Sequence, residues 1–219
     1  MKDCLVNRLV VFGCSNTYGH GLSDCLLEDG HPGLSPSKLS WANQTARELN
    51  LELVNLGQSG AGNKRIWHNA YYYFDYRPDD IVIMQWSYIT RYAILRKSHE
   101  RKEFDRIKTD VNLHPSIDSK ANNFYFKKIF EYYDAEQHLL LYTNHIHNFF
   151  DNKNIKCYHL FTDHDMYEAS WYTHLPIKLK WKHWSFHRDK IDLADDKVHV
   201  GPNTHKMYGK KVRKWIEKN

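Results

Sequence analysis

The stretch Val11-Phe12-Gly13-Cys14-Ser15-Asn16-Thr17-Tyr18-Gly19 (VFGCSNTYG) joins the end of an apolar run to a turn that holds a serine between two glycines. A short apolar run followed by small residues is typical of a buried β-strand that ends in a tight turn. Such a turn has two interpretations. Either the small residues only let the chain reverse, or the turn presents a nucleophile at the C-terminal edge of a sheet.

Four short apolar runs, including the one before this turn, read as buried strands. They are Leu9–Phe12, Leu53–Leu56, Ile81–Met84 and Lys156–Phe161. Each is bounded by polar or turn residues, and helical patterns separate them, which is typical of a parallel sheet covered on both sides. The sequence therefore predicts an α/β protein with a three-layer α/β/α (flavodoxin-like) architecture and a central parallel sheet. Ser15 would lie at the carboxyl end of the first strand, where such sheets bind ligands.

Amphipathic patterns predict the helices that cover this sheet. Ser40 is a plausible N-cap for a helix that runs to Leu49. A second helix is predicted over Lys64–Tyr76, with a largely aromatic buried face. Apolar residues at steps of three and four predict two more helical faces, the second of which follows Pro202: Leu139, Tyr142, Ile146 and Phe149, and Tyr208, Val212, Trp215 and Ile216.

The bulk composition describes one folded domain. The chain has 219 residues, of which 42% are hydrophobic and 15% aromatic, enough for one sizeable core. We expect a single domain over residues 1–219. The charged segment 95–123 lacks the apolar residues for a core of its own, so we interpret it as a helical excursion or lid. No apolar stretch approaches the roughly 20 residues that span a membrane, and no signal-peptide pattern is present. We therefore expect a cytoplasmic protein with no membrane partner.

The cysteines and lysines bear on cofactors and partners. The four cysteines show no CxxC spacing, so neither a zinc ribbon nor a redox pair is indicated, and we predict no metal and no cofactor. The net charge is +5, with lysines clustered within residues 178–190 and 206–218. This modest excess suits an anionic polymer but does not establish one, and we do not predict nucleic acid as a partner.

A serine nucleophile needs a base, and that base needs a group that orients it. The segment ADDKVHVGPNTH (194–205) holds Asp196 and His199 three residues apart. A turn of that length can bring the carboxylate to Nδ1 of the imidazole and leave Nε2 facing outward. Asp196 and His199 are therefore candidates for the two partners of Ser15.

Three blocks, VFGCSNTYG, NLGQSGAGN (55–63) and DKVH (196–199), resemble in this order the SGNH (GDSL-like) hydrolase family. The resemblance extends over nearly the whole chain, from Leu9 to Ile216. It implies that Ser15 is the nucleophile, His199 the general base and Asp196 the orienting acid. It also implies that the backbone N–H of Gly60, in the second block, helps to form the oxyanion hole.

Two positions depart from the family pattern. Cys14 stands where the family often has an aspartate, whose role is mainly structural. The third block, normally Gly-x-Asn-Asp, is replaced by MQWSYITR (84–91), with Ser87 roughly at the position of the oxyanion-binding asparagine. Asn63 or Gln85 are alternative donors, and an inactive site is the remaining possibility. The WSxxxR form also resembles SGNH-like proteins of phages and environmental bacteria. If the protein is encoded by a phage, the resemblance would place it in the host cytoplasm or in the virion.

Two functions follow from these residues. The first is a serine esterase with an oxyanion hole built from Ser15, Gly60 and Ser87. Its substrate would be a carboxylic ester, preferably an O-acetylated polysaccharide, contacted by the side chains of Asn63, Trp86 and Arg91. The second is a non-catalytic SGNH-like module that binds glycan or assembles into a virion, which the altered third block favours. The sequence determines neither the ester nor the oligomeric state.

Overall fold

The computed structural model describes residues 7–95, 111–115, 117–162, 179–186 and 188–219. Its strands are β1 (Arg8–Phe12), β2 (Glu52–Asn55), β3 (Ile81–Trp86), β4 (Tyr92–Ile94), β5 (Val111–Leu113), β6 (Lys156–Phe161) and β7 (Lys180–His183). Its helices are α1 (Ser15–Tyr18), α2 (Trp41–Leu49), α3 (Asn63–Tyr72), α4 (Lys120–Lys128), α5 (Tyr132–Asp151) and α6 (Pro202–Glu217). Within these residues, no helix combines the length and the apolar character needed to cross a membrane.

Five parallel strands form the central sheet in the order β2-β1-β3-β6-β7. Leu9 of β1 lies opposite Leu53 on one side and Ile81 on the other. The chain leaves β1 for β2 and then returns past β1 to β3, so the direction of winding reverses at β1. Ser15 follows β1 closely and therefore lies at the carboxyl edge beside this switch point, where α/β sheets bind ligands. The predicted three-layer α/β fold is confirmed.

Alternate side chains of β1 point into two separate cores, because successive residues of a strand face opposite sides of the sheet. Val10 and Phe12 pack in the core that contains residues of α3 and α5. Leu9 and Val11 pack in the core that contains residues of α2 and α6. All five residues of β1 are buried, which explains why this strand reads as a continuous apolar run.

The sequence predicted the beginning of α2 correctly but not the end of α3. The Ser40 hydroxyl accepts a hydrogen bond from the Asn43 N–H at 3.4 Å, which confirms the predicted N-cap. In contrast, α3 ends at Tyr72, before the predicted end at Tyr76. The rings of Phe74 and Tyr76 pack at 6.3 and 6.4 Å from the ring of Phe12 from a segment beyond the helix. Because Phe74 and Tyr76 are apolar and packed against the core, the apolar pattern continues beyond Tyr72, and the sequence therefore predicted a helix that is too long.

Three strands have no counterpart among the predictions. β7 has the sequence KWKH and pairs with β6, so it carries no apolar run by which it could be recognised. β4 and β5 form a small antiparallel pair. Of the excursion predicted over 95–123, residues 96–110 and 116 lie outside the described residues, and the rest includes β5 and the beginning of α4.

Two buried histidines should make the fold sensitive to acid. His159 accepts a hydrogen bond from Trp86 Nε1 at 3.1 Å, and burial lowers the pKa of His159 to about 3. His205 accepts one from the Trp41 N–H at 3.1 Å, and burial lowers the pKa of His205 to about 4. Both values lie below the pKa of about 6.5 expected in the unfolded chain, so the unfolded state takes up protons first as the pH falls.

We therefore expect the free energy of unfolding to be fully retained above about pH 6.5 and to fall towards pH 4, by about 3 kcal/mol for each of these histidines. Urea unfolding at a series of pH values between these limits measures the loss. His205→Asn is the matched variant, because an amide oxygen can accept the Trp41 N–H without titrating, and its stability should depend less steeply on pH. Equal slopes for wild type and variant would show that His205 does not contribute.

Candidate active site

The turn that holds Ser15 is built on the backbone of Cys14. The Cys14 carbonyl accepts hydrogen bonds from the N–H groups of Thr17 and Tyr18, both at 3.0 Å, and Ser15 is the first residue of α1. The Cys14 side chain is fully buried in the core, so it packs where the family often has an aspartate. Gly19 ends this short helix at φ 82°, a left-handed conformation that favours glycine. Ser15 therefore lies just beyond the carboxyl end of β1, and 3% of its surface is exposed.

The second block is tied to the first by side-chain and backbone hydrogen bonds. Asn55 Nδ2 donates to the Thr17 carbonyl at 2.8 Å, and the Gln58 N–H donates to the Gly13 carbonyl at 2.9 Å. Gly60 follows with φ 77°, and no atom lies within 4 Å of the place where a Cβ would stand. The left-handed turn, and not crowding, therefore accounts for a glycine at this position.

Asn63 joins the second block to the third. Its Oδ1 accepts the Ser87 N–H at 2.7 Å, and its Nδ2 donates to the Ser87 carbonyl at 3.0 Å. Asn63 is buried at the start of α3. The amide thus fixes the backbone of Ser87 whatever side chain stands there, and contact with a substrate is left to its second Nδ2 hydrogen.

The Ser87 side chain is buried and meets one cation. Arg91 Nη1 donates to Ser87 Oγ at 3.4 Å, and the Arg91 guanidinium lies 5.1 Å from the centre of the Tyr88 ring. Gln85, the alternative donor, accepts a hydrogen bond from the Thr17 hydroxyl, and its buried Nε2 has no partner among the described residues.

The structure corrects the prediction made for Trp86. It was predicted to contact substrate, but its side chain is fully buried, and its Nε1 donates to His159. Alternation along β3 turns Trp86 into the core that holds Met84 and the residues of α3 and α5. A side chain in that position packs the core and does not line an open cleft.

Asp196 and His199 are brought together as a hydrogen-bonded pair. His199 Nδ1 lies 2.6 Å from Asp196 Oδ2, while Asp196 Oδ1 accepts the N–H groups of Val198 and His199, both at 2.9 Å. Burial acts to raise the pKa of Asp196, but the hydrogen bonds from His199 and Val198 outweigh it, and the pKa is lowered. An ionised Asp196 can only accept, so His199 Nδ1 carries a proton and donates it to Oδ2, which makes Nε2 the nitrogen that can take a proton from a nucleophile.

Asp192 fixes the loop that carries this pair to the start of α6. Its carboxylate accepts the N–H groups of Asn203 and Thr204, at 3.0 and 2.9 Å, and the Thr204 hydroxyl at 2.7 Å. Burial acts to raise the pKa of Asp192, but these hydrogen bonds lower it overall. A carboxylate at a helix N-terminus also interacts favourably with the helix dipole. Asp192 was missed because it stands ten residues before the helix that it caps.

His20 is a site residue that the sequence did not reveal. Its ring lies 4.5 Å from the ring of His199 at an angle of 34°. Its Nδ1 lies 2.8 Å from Ser59 Oγ and its Nε2 lies 3.2 Å from the Gly30 carbonyl. Burial lowers the pKa of His20, as does the neighbouring His199, which favours the neutral ring. The carbonyl must accept from Nε2–H, so Nδ1 accepts from the Ser59 hydroxyl.

Three of these side chains also have the spacing of metal ligands. The ligand atoms of His20, Asp196 and His199 all lie within 4.8 Å of one another. Their hydrogen bonds already account for their positions, since Asp196 bonds to His199 and both nitrogens of His20 have partners. The arrangement fits an acid–base pair with a packed neighbour without requiring an ion.

The turn that holds Ser15 and the loop that holds His199 come from opposite ends of the chain and meet at His20 and Gly21. The His20 N–H donates to the Ser15 carbonyl at 3.1 Å, and the Asp195 N–H donates to the Gly21 carbonyl at 3.0 Å. A Cβ on Gly21 would lie 2.5 Å from Asp196 Oδ2. Among the described residues, Ser15 Oγ forms no hydrogen bond, so the loop of His199 meets the segment of Ser15 through His20 and Gly21 and not through a bond between Ser15 and His199.

Comparisons with known proteins identify the fold. The sequence matches no protein-family model and no curated protein. Among solved structures, an acetyl xylan esterase (Est2A) from Butyrivibrio proteoclasticus superposes with a TM-score of 0.59 at 13% identity, over 97% of this chain and 63% of that one. A family two carbohydrate esterase from Clostridium thermocellum, in complex with cellohexaose, gives 0.56 at 11% identity, over 97% and 64%. A lipolytic protein of the G-D-S-L family from Desulfitobacterium hafniense gives 0.51 at 10% identity, over 95% and 98%.

These likenesses show that the chain shares the α/β fold of these proteins. More particularly, it has the fold of the SGNH (GDSL-like) hydrolases, as the three sequence blocks predict, in a form with little sequence identity to those structures. The chain spans somewhat less than two thirds of the length of the two carbohydrate esterases.

Proposed function

We propose that the protein is a serine esterase of the SGNH type that removes acetyl groups from a polysaccharide. One observation carries the proposal: Asp196 and His199 form a hydrogen-bonded pair that lies against Gly21 and His20, directly after the turn that holds Ser15. The choice of substrate is supported by the likeness to an acetyl xylan esterase and to a carbohydrate esterase in complex with cellohexaose.

In the proposed mechanism, Ser15 Oγ attacks the ester carbonyl while His199 Nε2 takes its proton. Asp196 stabilises the imidazolium that forms and holds the ring in the productive tautomer. Collapse of the tetrahedral intermediate expels the sugar hydroxyl, which receives the proton from His199. Water activated by His199 then attacks the acetylated Ser15, and acetate leaves. Catalytic hydrogen bonds often tighten only when substrate is bound, so the Ser15–His199 bond is expected to form in that complex.

His20 would act as a positioning residue beside the base. Its ring packs at a tilt against that of His199 and is itself held by Ser59 and Gly30, so it limits the orientations open to the His199 ring. Because burial favours the neutral form of His20, it does not repel the imidazolium that develops on His199. Ser59 belongs to the second block, so His20 also couples that block to the base.

The oxyanion would be held by the N–H groups of Ser15 and Gly60 and by the hydroxyl of Ser87. Ser15 is the first residue of α1, where N–H groups have no partner inside the helix. Ser87 Oγ accepts from Arg91, which leaves its own proton to donate to the oxyanion. Asn63 and Arg91 are proposed to lie beside the substrate, with Asn63 chiefly positioning Ser87.

Ser87→Ala should lower kcat for an acetyl ester on the order of 10²-fold, because one of the oxyanion donors is lost. The fold should be unaffected, because Asn63 binds the backbone of residue 87 and not its side chain. Steady-state kinetics with p-nitrophenyl acetate and a thermal melt measure the two effects. Unchanged turnover would remove Ser87 from the oxyanion hole and make Asn63 or Gln85 the next donor to test.

Two measurements test the function itself. A fluorophosphonate probe should label the wild-type protein on Ser15 and leave Ser15→Ala unlabelled. Acetylated xylan should release acetate in the presence of the wild type. The second candidate function, a non-catalytic glycan-binding module, is favoured by the serine that replaces the asparagine of the third block. It would be supported if glycan bound but neither labelling nor acetate release occurred.

A further inference from the structure

A lysine-rich groove lies between β7 and the second half of α6. Its volume is about 750 Å³, and its described lining residues include no aspartate or glutamate but five lysines: Lys180, Lys182, Lys211, Lys214 and Lys218. Among the lining residues that the structure describes, none of the cations is an arginine. A groove with one sign of charge raises the local concentration of ions of the opposite sign.

The lysines form two rows because of the periods of the two elements. Lys180 and Lys182 are two apart on β7 and therefore point to the same side of the sheet. Lys211, Lys214 and Lys218 follow at steps of three and four, so they share one stripe of α6. The strand supplies one wall of the groove and the helix supplies the other.

Most of this charge is not neutralised within the protein. Lys211 Nζ lies 3.6 Å from Asp189, and Lys180 Nζ donates to the Asn219 carbonyl at 2.6 Å. In the part of the chain that the structure describes, no carboxylate lies within 4.0 Å of Lys182, Lys214 or Lys218, and all three are exposed. Three ammonium groups are thus available to an external anion.

Tryptophan rings form the floor between the two rows. Trp215 is buried and packs edge-on against Tyr158 at 5.0 Å. Trp184 is half-buried, with its ring 5.8 Å from that of Trp215 at 71°. Large indole surfaces beside cations offer an apolar face for a ligand that also carries charge.

The groove lies away from the candidate active site. α6 begins directly after the loop of His199 at the carboxyl edge of the sheet, and Asn219, just beyond its end, contacts Lys180 at the beginning of β7. The helix therefore runs towards the amino edge. Trp215 lies thirteen residues beyond Pro202, so the two ends of this helix are separated by roughly 20 Å. A ligand in the groove would not occupy the position of the reacting ester.

We propose that this groove binds an anionic polysaccharide of the polyuronate type, which it holds at a second site on the protein. Lysine ammonium groups suit the spaced, hydrated carboxylates of such a chain, and the half-buried ring of Trp184 suits its flat sugar rings. The cations of the described lining are all lysines, which favours carboxylates over nucleic acid, whose phosphates are well matched by the bidentate guanidinium. The choice of a glycan rests on the proposed function, whereas the cationic character of the groove does not.

The test uses full-length protein carrying Ser15→Ala, so that no ligand is consumed, and isothermal titration with three probes. The probes are a polygalacturonate oligomer, neutral cellohexaose and single-stranded oligothymidylate. Polygalacturonate should bind most tightly, and its affinity should fall at high ionic strength. In the same background, the triple variant Lys182→Gln, Lys214→Gln and Lys218→Gln should bind it about tenfold more weakly, as three exposed charges would predict.

A matched triple variant separates local from overall charge. Lys120→Gln, Lys127→Gln and Lys128→Gln remove the same charge from exposed positions of α4 and should leave the affinity unchanged. Equal weakening by both triples, no binding of polygalacturonate, or tighter binding of oligothymidylate would each overturn the proposal. Hydrolysis of p-nitrophenyl acetate by either lysine triple with Ser15 intact should match the wild type. If the protein bound polygalacturonate but did not hydrolyse p-nitrophenyl acetate, only the proposed esterase function would be contradicted. If it hydrolysed the ester but did not bind polygalacturonate, only the proposed groove site would be contradicted.

Discussion

Ser15→Ala should abolish ester hydrolysis, with kcat for p-nitrophenyl acetate lowered by a factor on the order of 10⁴ to 10⁶. His199→Ala should cost about as much, because the hydroxyl is a poor nucleophile without a base. The double variant should be no worse than either single variant, since the two residues act as a unit. Initial rates for the three variants, measured at one pH and compared with wild type, establish this pattern.

Ser23→Ala is the matched control for this experiment. Ser23 is exposed and lies in the same segment of the chain, so its hydroxyl can be removed without disturbing the site. It should retain wild-type rates. Full activity of Ser15→Ala would exclude the serine mechanism, and additive losses in the double variant would show that Ser15 and His199 do not work together.

Gly21→Ala should reduce kcat on the order of 10² to 10⁴-fold although Gly21 takes no part in the chemistry. The added methyl group would lie 2.5 Å from Asp196 Oδ2, so the carboxylate must move away from His199 Nδ1. Loss of that orienting bond leaves the imidazole in the wrong tautomer or orientation, as when the triad aspartate is replaced in serine proteases. Kinetics with p-nitrophenyl acetate and the rate of fluorophosphonate labelling measure the loss.

Gly30→Ala provides the comparison that isolates this clash. Gly21 and Gly30 have φ of 90° and 79°, so alanine is strained at both, by about 1–2 kcal/mol. An added Cβ at Gly30, however, would meet no atom within 4 Å. Both variants should lose the stability that this backbone strain costs, and Gly21→Ala should lose more because it also displaces Asp196. Only Gly21→Ala should lose most of its activity. Equal activity in the two variants would show that Asp196 tolerates displacement.

The fold could be predicted where a strand is buried on both faces. β1 and β6 are enclosed by two cores, so their side chains form apolar runs that the sequence displays directly. β7 was not predicted because it lies at the end of the described sheet and carries lysines at alternate positions, so it has no apolar run. Phe74 extended the apparent length of α3 because burial by tertiary contact leaves the same apolar signal as burial within a helix.

The site could be predicted where its partners are close in sequence. Asp196 and His199 stand three residues apart, and a single turn joins them. His20 meets His199 only through the fold, and among fifteen histidines nothing local distinguishes it. Asp192 was likewise hidden, and so was the role of Asn63 in fixing Ser87, because each of these contributions is a hydrogen bond to the backbone of a distant residue. Contacts of this kind leave no periodic pattern behind.

The lysines of β7 also bear on how one molecule meets another. Among the described strands, β7 has a neighbour on one side alone, and the outer edge of such a strand can template a strand from a second copy. If two copies aligned their β7 strands, Lys180 and Lys182 would bring like charges together across the new pair, which opposes edge-to-edge association. The Lys182→Gln change in the triple variant weakens this repulsion. Its titration therefore requires dilute protein, so that self-association does not compete with ligand binding.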